Sequence, residues 1–209
     1  MQPVQAVIFD FGMVLSQPQS QERVHEMAQI LDVPPAEFAK AYWHDRHAYD
    51  IGQFDGPAYW AGIAGLLGKE TSSRVDELID LDIRSWMQLN EDMMPWVQAV
   101  RAAGLRTAIL SNMPFEHRNW MVDKSGWLSQ FDSATFSCDL GIGKPDAAIY
   151  EHCLNVVGTP AQHTVFLDDR EENIHGAKRL GLHALHFTTP AETLTGIHEK
   201  FQLPAFPAC

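Results

Sequence analysis

Residues 4–12 read VQAVIFDFG, a short apolar run that ends at a carboxylate and a glycine. Buried strands of parallel sheets are continuous apolar runs of roughly four to eight residues bounded by turn formers. The pattern therefore predicts a buried strand over Val4 to Asp10. It also predicts that the strand presents Asp10 to the loop that follows its C-terminal end.

Four later segments have the same shape, and helical patterns lie between them. Strands are predicted over residues 105–110, 134–137, 164–167 and 183–187. Helices are predicted from Met94 towards Gly104, from Pro145 towards Gly158, and from Arg170 to Gly181, with a proline or acidic residues near the start. Alternating strands and helices favour a parallel sheet with helices on both faces, so we predict an α/β, Rossmann-like fold.

Residues 17–90 differ from the rest because they are rich in helix formers and aromatic residues and contain no convincing buried strand. We predict that they form a small helical cap inserted after the first strand. Residues 1–16 and 91–209 would then form the catalytic core. The aromatic side chains of the cap could pack inward or against a second copy, so the sequence leaves the oligomeric state open.

Composition excludes several classes of protein. The 209 residues include 15 Lys and Arg against 27 Asp and Glu, a formal net charge of −12, which disfavours nucleic acid and anionic membranes as partners. A hydrophobic content of 45% excludes a disordered protein. Cys138, Cys153 and Cys209 form no CxxC motif, which favours free thiols. Without a signal peptide or a membrane span, we predict a soluble, cytoplasmic protein.

Polar residues follow the predicted strands at the edge of the sheet where ligands bind in such folds. They are Asp10, Ser111-Asn112, Lys144 at a helix start, and Asp168-Asp169. Asp10, Ser111, Lys144 and Asp168 are separated by 101, 33 and 24 residues. In this order and spacing the set resembles the four motifs of the haloacid dehalogenase-like (HAD) hydrolase superfamily. The resemblance covers nearly the whole chain and includes the helical cap of the first subclass. It is greatest to sugar-1-phosphate phosphatases and the phosphatase domain of soluble epoxide hydrolases.

The resemblance implies a catalytic role for Asp10 and a site for Mg²⁺. Asp10 would attack phosphorus and form an aspartyl-phosphate. The metal ligands would be Asp10, Asp169 and the backbone carbonyl of Gly12, with Asp168 binding directly or through water. A hard divalent cation suits this chemistry, because a carboxylate is a poor nucleophile towards an anionic phosphoryl group unless charge is neutralised.

The remaining motif residues would bind the phosphoryl group. Lys144 would offset the negative charge, and the Ser111 hydroxyl and Asn112 backbone N–H would hold the phosphoryl oxygens. Alternatively, Ser111-Asn112 caps the next helix and Lys144 is solvated. Asn173 would orient Asp169, or it is an ordinary surface residue.

The sequence departs from the family pattern at Gly12. Most phosphatases of this superfamily carry a second aspartate two residues after the nucleophile, where it protonates the leaving alkoxide. General acid–base catalysis contributes roughly a hundred- to ten-thousand-fold in rate. We therefore expect a leaving group of low pKa, such as the anomeric hydroxyl of a sugar-1-phosphate.

The cap offers candidates for contact with the leaving group. His44 and His47 are three residues apart and are predicted to share a helix face. The turn at residues 49–52 resembles the specificity loop of the helical cap, which reaches over the active site. Our hypothesis is that Arg46, His47 or His44 contacts the leaving group; the alternative is a solvated helix end.

The function predicted from the sequence is a Mg²⁺-dependent phosphatase acting on a small phosphorylated metabolite, such as a sugar phosphate. One alternative is a 2-haloacid dehalogenase, in which Asp10 attacks carbon and Arg46 binds the substrate carboxylate. Another is a catalytically impaired protein that keeps the fold and binds a metabolite. The retention of Asp10, Lys144 and Asp169 argues against the last of these.

Overall fold

The structure is a computed structural model that describes residues 3–70, 73–194 and 197–206. Five strands form one sheet, in which every neighbouring pair is parallel and the order is β3-β2-β1-β4-β5. The strands are β1 (Ala6–Phe9), β2 (Arg106–Ser111), β3 (Ser133–Phe136), β4 (Thr164–Asp168) and β5 (His183–His186). All five predicted strands and the α/β, Rossmann-like fold are confirmed.

Helices surround the sheet and fill the predicted insertion. In the part of the chain that the structure describes, no helix is both long enough and apolar enough to cross a membrane. The helices are α1 (Gln21–Ile30), α2 (Pro35–His44), α3 (Arg46–Asp50), α4 (Gly56–Leu66), α5 (Val75–Trp86), α6 (Met93–Ala102), α7 (Phe115–Lys124), α8 (Ser137–Leu140), α9 (Ala147–Val157), α10 (Glu171–Arg179), α11 (Pro190–Leu194) and α12 (Ile197–Phe201).

Alternate residues of β1 show why the central strand is apolar throughout. Ala6 and Ile8 pack into a cluster that includes side chains of α9 and α10. Val7 and Phe9 face the opposite way, into a larger cluster that includes α6. Phe9 meets Trp96 of α6 edge to face, with ring centroids 5.8 Å apart. Both faces of the strand are therefore buried, as expected for a parallel sheet covered by helices.

One predicted helix start differs from the observed one by two residues. Helix α9 begins at Ala147 rather than at Pro145, because the Asp146 carboxylate accepts a hydrogen bond from the Ala148 amide at 2.9 Å and caps the helix. The helix ends at Val157 and is capped by Gly158, whose φ of 72° is the left-handed conformation that favours glycine. The prediction that this helix ends at a glycine is thus confirmed.

Helices α1–α5 occupy the predicted insertion and share a hydrophobic cluster of their own. Phe38, Tyr42, Tyr49, Tyr59 and Trp60 are all buried in it. Of the two packing alternatives, these aromatic residues take the inward one. The isolated bridge between residues 16 and 89 brings the two ends of the insertion together. The domain boundaries themselves stay a prediction.

The cysteine expectations concern three positions. Cys138 and Cys153 are buried free thiols. Cys209 lies outside the described residues. The cytoplasmic location stays a prediction.

Candidate active site

Three of the predicted site residues meet at the carboxyl edge of the sheet. Asp10 directly follows β1, Ser111 is the last residue of β2, and Asp168 is the last residue of β4. Since β2 and β4 flank β1 with Phe9 opposite Ile109 and Leu167, the three strands end nearly level. All three side chains are therefore held close together by backbone pairing.

Lys144 supplies the positive charge among these carboxylates. Its Nζ lies 2.8 Å from Oδ1 of Asp10 and 2.7 Å from Oδ2 of Asp168, and it donates to the Leu110 carbonyl at 3.0 Å. An ammonium group has three N–H donors, so all three are used. Lys144 is only 3% exposed, which excludes the alternative of a solvated lysine.

Asn112 positions Lys144 through its side chain. Its Oδ1 accepts from the Lys144 amide at 2.8 Å, and its Nδ2 donates to the Lys144 carbonyl at 2.9 Å. This pair of bonds fixes the backbone from which the lysine reaches Asp10. The role predicted for the Asn112 backbone N–H towards phosphate stays a prediction.

Asn173 holds Asp168 rather than Asp169, so the predicted partner of Asn173 is wrong. The Nδ2 of Asn173 lies 2.9 and 3.1 Å from the two carboxylate oxygens of Asp168. Asp168 also accepts from the Arg170 amide at 2.9 Å and from Lys144. Asn173 is buried, which excludes an ordinary surface role. One helical turn brings its amide back to the last residue of β4.

The carboxylates of Asp10, Asp168 and Asp169 form a cluster suited to a divalent cation. One oxygen from each lies within 4.8 Å of the others. Burial, the largest cause, together with Asp168 and Asp169 raises the pKa of Asp10 to about 7 despite the opposing charge of Lys144. Burial and the neighbouring Asp168 also raise the pKa of Asp169. Three clustered carboxylates beside one lysine leave excess negative charge, and carboxylate oxygens are the ligands that Mg²⁺ prefers.

A cavity of about 380 Å³ opens above this cluster, between the core and the cap. Asp10, Gly12, Ser111, Asn112, Lys144 and Asp169 line it from the core. Trp43, Arg46, Asp50 and Trp86 line it from the cap. The predicted core residues are thus brought to one cavity, except that Asp168 lies beneath it and is fully buried.

Residues 4–181 match the family described as haloacid dehalogenase-like hydrolase. The chain belongs to this family. The protein is thus a HAD-like hydrolase, and the sequence resemblance to that superfamily is confirmed.

Curated relatives of this HAD-like hydrolase are similar over about half of its length. It is 31% identical over 121 residues to acyl-CoA dehydrogenase family member 10 of Mus musculus, a match that covers 53% of this chain and 10% of that protein. It is 29% identical over 101 residues to the sesquiterpene phosphatase astK of Aspergillus oryzae, which covers 48% of this chain and 52% of that one. The matches therefore span about half or less of these relatives' own lengths.

A solved HAD family enzyme from Bacteroides thetaiotaomicron has the same fold. The TM-score is 0.74 at 18% identity, over 90% of this chain and 95% of that one. The Bacteroides enzyme has also been solved in complex with magnesium and inorganic phosphate.

Arg46 of the hydrolase lines the cavity, but its guanidinium is held by other cap residues. Its Nε lies 2.8 Å from Oδ1 of Asp50, and its Nη1 lies 3.2 Å from Oδ2 of Asp82 and also donates to the Tyr42 hydroxyl. The C-terminal end of α3 is fixed to the core because the Ser137 hydroxyl donates to the Asp50 carbonyl at 2.5 Å. Arg46 therefore shapes the cap side of the cavity with its Nε and Nη1 donors committed to other cap residues.

The prediction that His44 and His47 share a helix face is wrong. Helix α2 ends at His44 and α3 begins at Arg46, with Asp45 between them at φ −112° and ψ 19°. Both histidines are exposed, and neither lines the cavity. The break at Asp45 turns Arg46 inward and leaves the two imidazoles outside.

Sequence reasoning missed His117, which lines the same cavity from α7. Its Nε2 lies 3.7 Å from Oδ2 of Asp82, and neither ring nitrogen makes a hydrogen bond in the described part of the chain. Nothing in the sequence signals this placement, because Asp82 belongs to the cap and His117 to the core. Only the packing of α5 on α7 brings them together.

We expect replacement of His117 by Gln to remove a pH dependence of folding. Burial, the largest cause, lowers the pKa of His117 to about 4 from its usual 6.5 in the folded chain, while Asp82 opposes this. Between these pH values the unfolded chain binds more protons, so the native protein loses stability as pH falls from about 6.5 to 4. The loss relative to the variant is about 3 kcal/mol.

Urea unfolding of both proteins across this range checks the effect. Titrating groups that do not interact with His117 cancel in the difference between the two proteins. A difference in unfolding free energy that stays constant with pH would contradict the prediction.

Proposed function

We propose that the hydrolase is a Mg²⁺-dependent phosphatase that cleaves a small phosphorylated metabolite through an aspartyl-phosphate on Asp10. The observation that carries this proposal is the placement of Asp10 on the cavity floor, ion-paired to buried Lys144 beside Asp168 and Asp169. That the substrate is a sugar phosphate stays a prediction.

The nucleophile is a carboxylate oxygen of Asp10. It forms a bond to phosphorus while the bond from phosphorus to the alcohol oxygen breaks, and the electron pair leaves with that oxygen. Oδ1 of Asp10 accepts from the Phe11 amide at 2.7 Å and from Lys144, which holds the carboxylate in one orientation. Water then cleaves the aspartyl-phosphate and releases inorganic phosphate. The phosphoryl group is therefore transferred in two steps, first to Asp10 and then to water.

Lys144 acts by its charge rather than by a new hydrogen bond. Its three donors already reach Asp10, Asp168 and the Leu110 carbonyl. The positive charge offsets the carboxylates and the incoming phosphoryl group. The Ser111 hydroxyl and the Asn112 backbone N–H would hold the phosphoryl oxygens in the same cavity.

Asp10, Asp169 and the carbonyl of Gly12 would hold Mg²⁺, with Asp168 less directly because its oxygens already accept four hydrogen bonds. When bound, the cation would supply positive charge that neutralises the phosphoryl oxygens. The fit rests on the clustered carboxylates and on the excess negative charge that Lys144 alone does not balance. Magnesium and phosphate in the Bacteroides neighbour, and the phosphatase among the relatives, support the same assignment.

We expect hydrolysis of p-nitrophenyl phosphate to require Mg²⁺. Removal of the metal with EDTA should reduce the rate by at least about 100-fold, since a Lewis acid contributes several kcal/mol to stabilising the transition state. Excess Mg²⁺ should restore the rate. Nitrophenolate absorbance measures both.

Two experimental outcomes would contradict the proposed phosphatase function. Chloride release from 2-chloropropionate without metal would indicate a dehalogenase, a reading that the pairing of Arg46 with Asp50 and Asp82 disfavours. Inactivity on both substrates and on a panel of phosphates would indicate a metabolite-binding protein.

A further inference from the structure

The cap side of the cavity is walled by two tryptophans, Trp43 and Trp86, which we call the aromatic wall. Their rings meet edge to face, with centroids 6.3 Å apart and planes at 84°. The Nε1 of Trp86 donates to the Tyr42 hydroxyl at 3.1 Å, and Trp43 meets the Tyr42 ring edge to face at 5.1 Å. Both rings are therefore held in place before any ligand binds.

Trp86 lies directly over the backbone beside the nucleophile. A Cβ built on Gly12 would come within 3.9 Å of the Trp86 ring, and Gly12 is two residues from Asp10. In phosphoryl transfer the attacking and leaving oxygens are roughly in line. The alcohol of a phosphate ester attacked by Asp10 therefore points away from the cavity floor, towards the aromatic wall.

Methionines extend the apolar lining around the wall. Met13, Met87 and Met113 line the cavity, and Met13 is held in the left-handed conformation at φ 63°. Trp43 and Met13 are 51% and 38% exposed, although both are large apolar side chains. Exposed apolar surface that lines a cavity is a feature of ligand sites.

Several polar side chains on this side of the cavity are already paired or covered. Arg46 and Asp50 are paired with each other. Both ring nitrogens of His117 are buried beneath the surface. A sugar would bring several hydroxyls to two indole rings that offer no acceptor, and the Nε1 donor of Trp86 is already bonded to the Tyr42 hydroxyl. Unpaired polar groups are costly to bury.

We propose that the aromatic wall is the leaving-group subsite and that the substrate is a phosphate monoester of a phenol. This rests on the proposed phosphatase function. A flat aromatic ring can stack on or meet the two indoles at their edges. A phenolate also leaves without a proton donor, which suits a chain with glycine at position 12.

The test compares two esters whose phenolic leaving groups are of similar acidity but whose aromatic areas differ, phenyl phosphate and 1-naphthyl phosphate. We expect kcat/KM to be about fivefold to tenfold higher for the naphthyl ester, because its second ring removes more apolar surface from water. The gain should lie mainly in KM. Glucose-1-phosphate should be a poorer substrate than either.

Variants of the aromatic wall test whether it causes the preference for the naphthyl ester. Trp43→Ala should abolish the advantage of the naphthyl ester, and Trp43→Phe should retain much of it. Trp120→Ala is the matched control, since Trp120 is a partly buried tryptophan of α7 that does not line the cavity. It should leave the advantage unchanged.

A binding measurement separates the wall from the chemistry. Saturation-transfer NMR with the metal-free protein should detect 1-naphthol and not glucose, and Trp43→Ala should weaken the naphthol signal. Equal kcat/KM for both aryl esters, or a naphthyl advantage that survives in Trp43→Ala, would overturn the subsite and leave the phosphatase intact. Failure of every ester to release phosphate with Mg²⁺ would instead overturn the phosphatase.

Discussion

Replacement of Asp10 by Asn is expected to reduce kcat for p-nitrophenyl phosphate by about 10⁴-fold or more, a loss in the range seen when a nucleophile is removed. The amide has nearly the same shape as the carboxylate, but it carries no charge and does not form the covalent bond to phosphorus. The residual rate is measured as the initial rate of nitrophenolate release in excess Mg²⁺ at several enzyme concentrations.

Folding of the Asp10→Asn variant provides the control. Burial raises the pKa of Asp10 to about 7, so the charged form is destabilising in the metal-free protein above that pH. The variant removes this buried charge, and its thermal midpoint near pH 8 should be no lower than that of the parent chain. Activity within tenfold of the parent, in a folded variant, would exclude Asp10 as the nucleophile.

Replacement of Lys144 by Met is expected to lower the unfolding free energy of the metal-free protein by about 3–5 kcal/mol near pH 8, because it leaves buried carboxylates without a partner. Lys144 contacts Asp10 at 2.8 Å and Asp168 at 2.7 Å, and all three are buried. Activity should fall as well, since the charge beside the nucleophile is lost. Urea unfolding followed by circular dichroism measures the stability change.

The pH dependence of the Lys144→Met penalty distinguishes lost charge from lost packing. Lys144 lowers the pKa of Asp10, so its removal raises that pKa further. Asp10 is then neutral at pH 5, and the penalty should shrink as pH falls from 8 to 5. Lys124→Met is the matched control, because Lys124 is an exposed lysine and the last residue of α7. It should change the unfolding free energy by less than about 0.5 kcal/mol. A penalty independent of pH would contradict the electrostatic explanation.

Predictions from the sequence succeeded for the core because its site residues stand at strand ends. Asp10, Ser111 and Asp168 each follow or end an apolar run that local pattern alone identifies. Parallel strands present their carboxyl ends at one edge of the sheet, so residues far apart in sequence converge without any further information. Lys144 is placed by the same rule, at the end of the loop that follows β3 and α8.

The predicted helix face of His44 and His47 was wrong because it depends on where the helices of the cap break and how they pack. The three-residue spacing of His44 and His47 indicated one helix face, but the break at Asp45 separates them. Arg46 turned inward to Asp50 and Asp82, partners that lie 4 and 36 residues away. Helical periodicity identifies a buried face and carries no signal for which carboxylate of the cap a buried arginine will pair with.

The sequence by itself determined the parallel sheet, the helical insertion and the meeting of four motifs at one edge of the sheet, namely Asp10, Ser111-Asn112, Lys144 and Asp168-Asp169. Each of these depends on short-range patterns and on one general property of parallel strands. Only the tertiary structure decided that Asn173 holds Asp168, that His117 is buried against Asp82, and that Trp86 covers Gly12. The last two contacts join segments of the core and the cap, whose relative placement comes from the packing of many side chains at once, so no local pattern specifies them. The first lies within the core and depends on the direction in which α10 leaves β4.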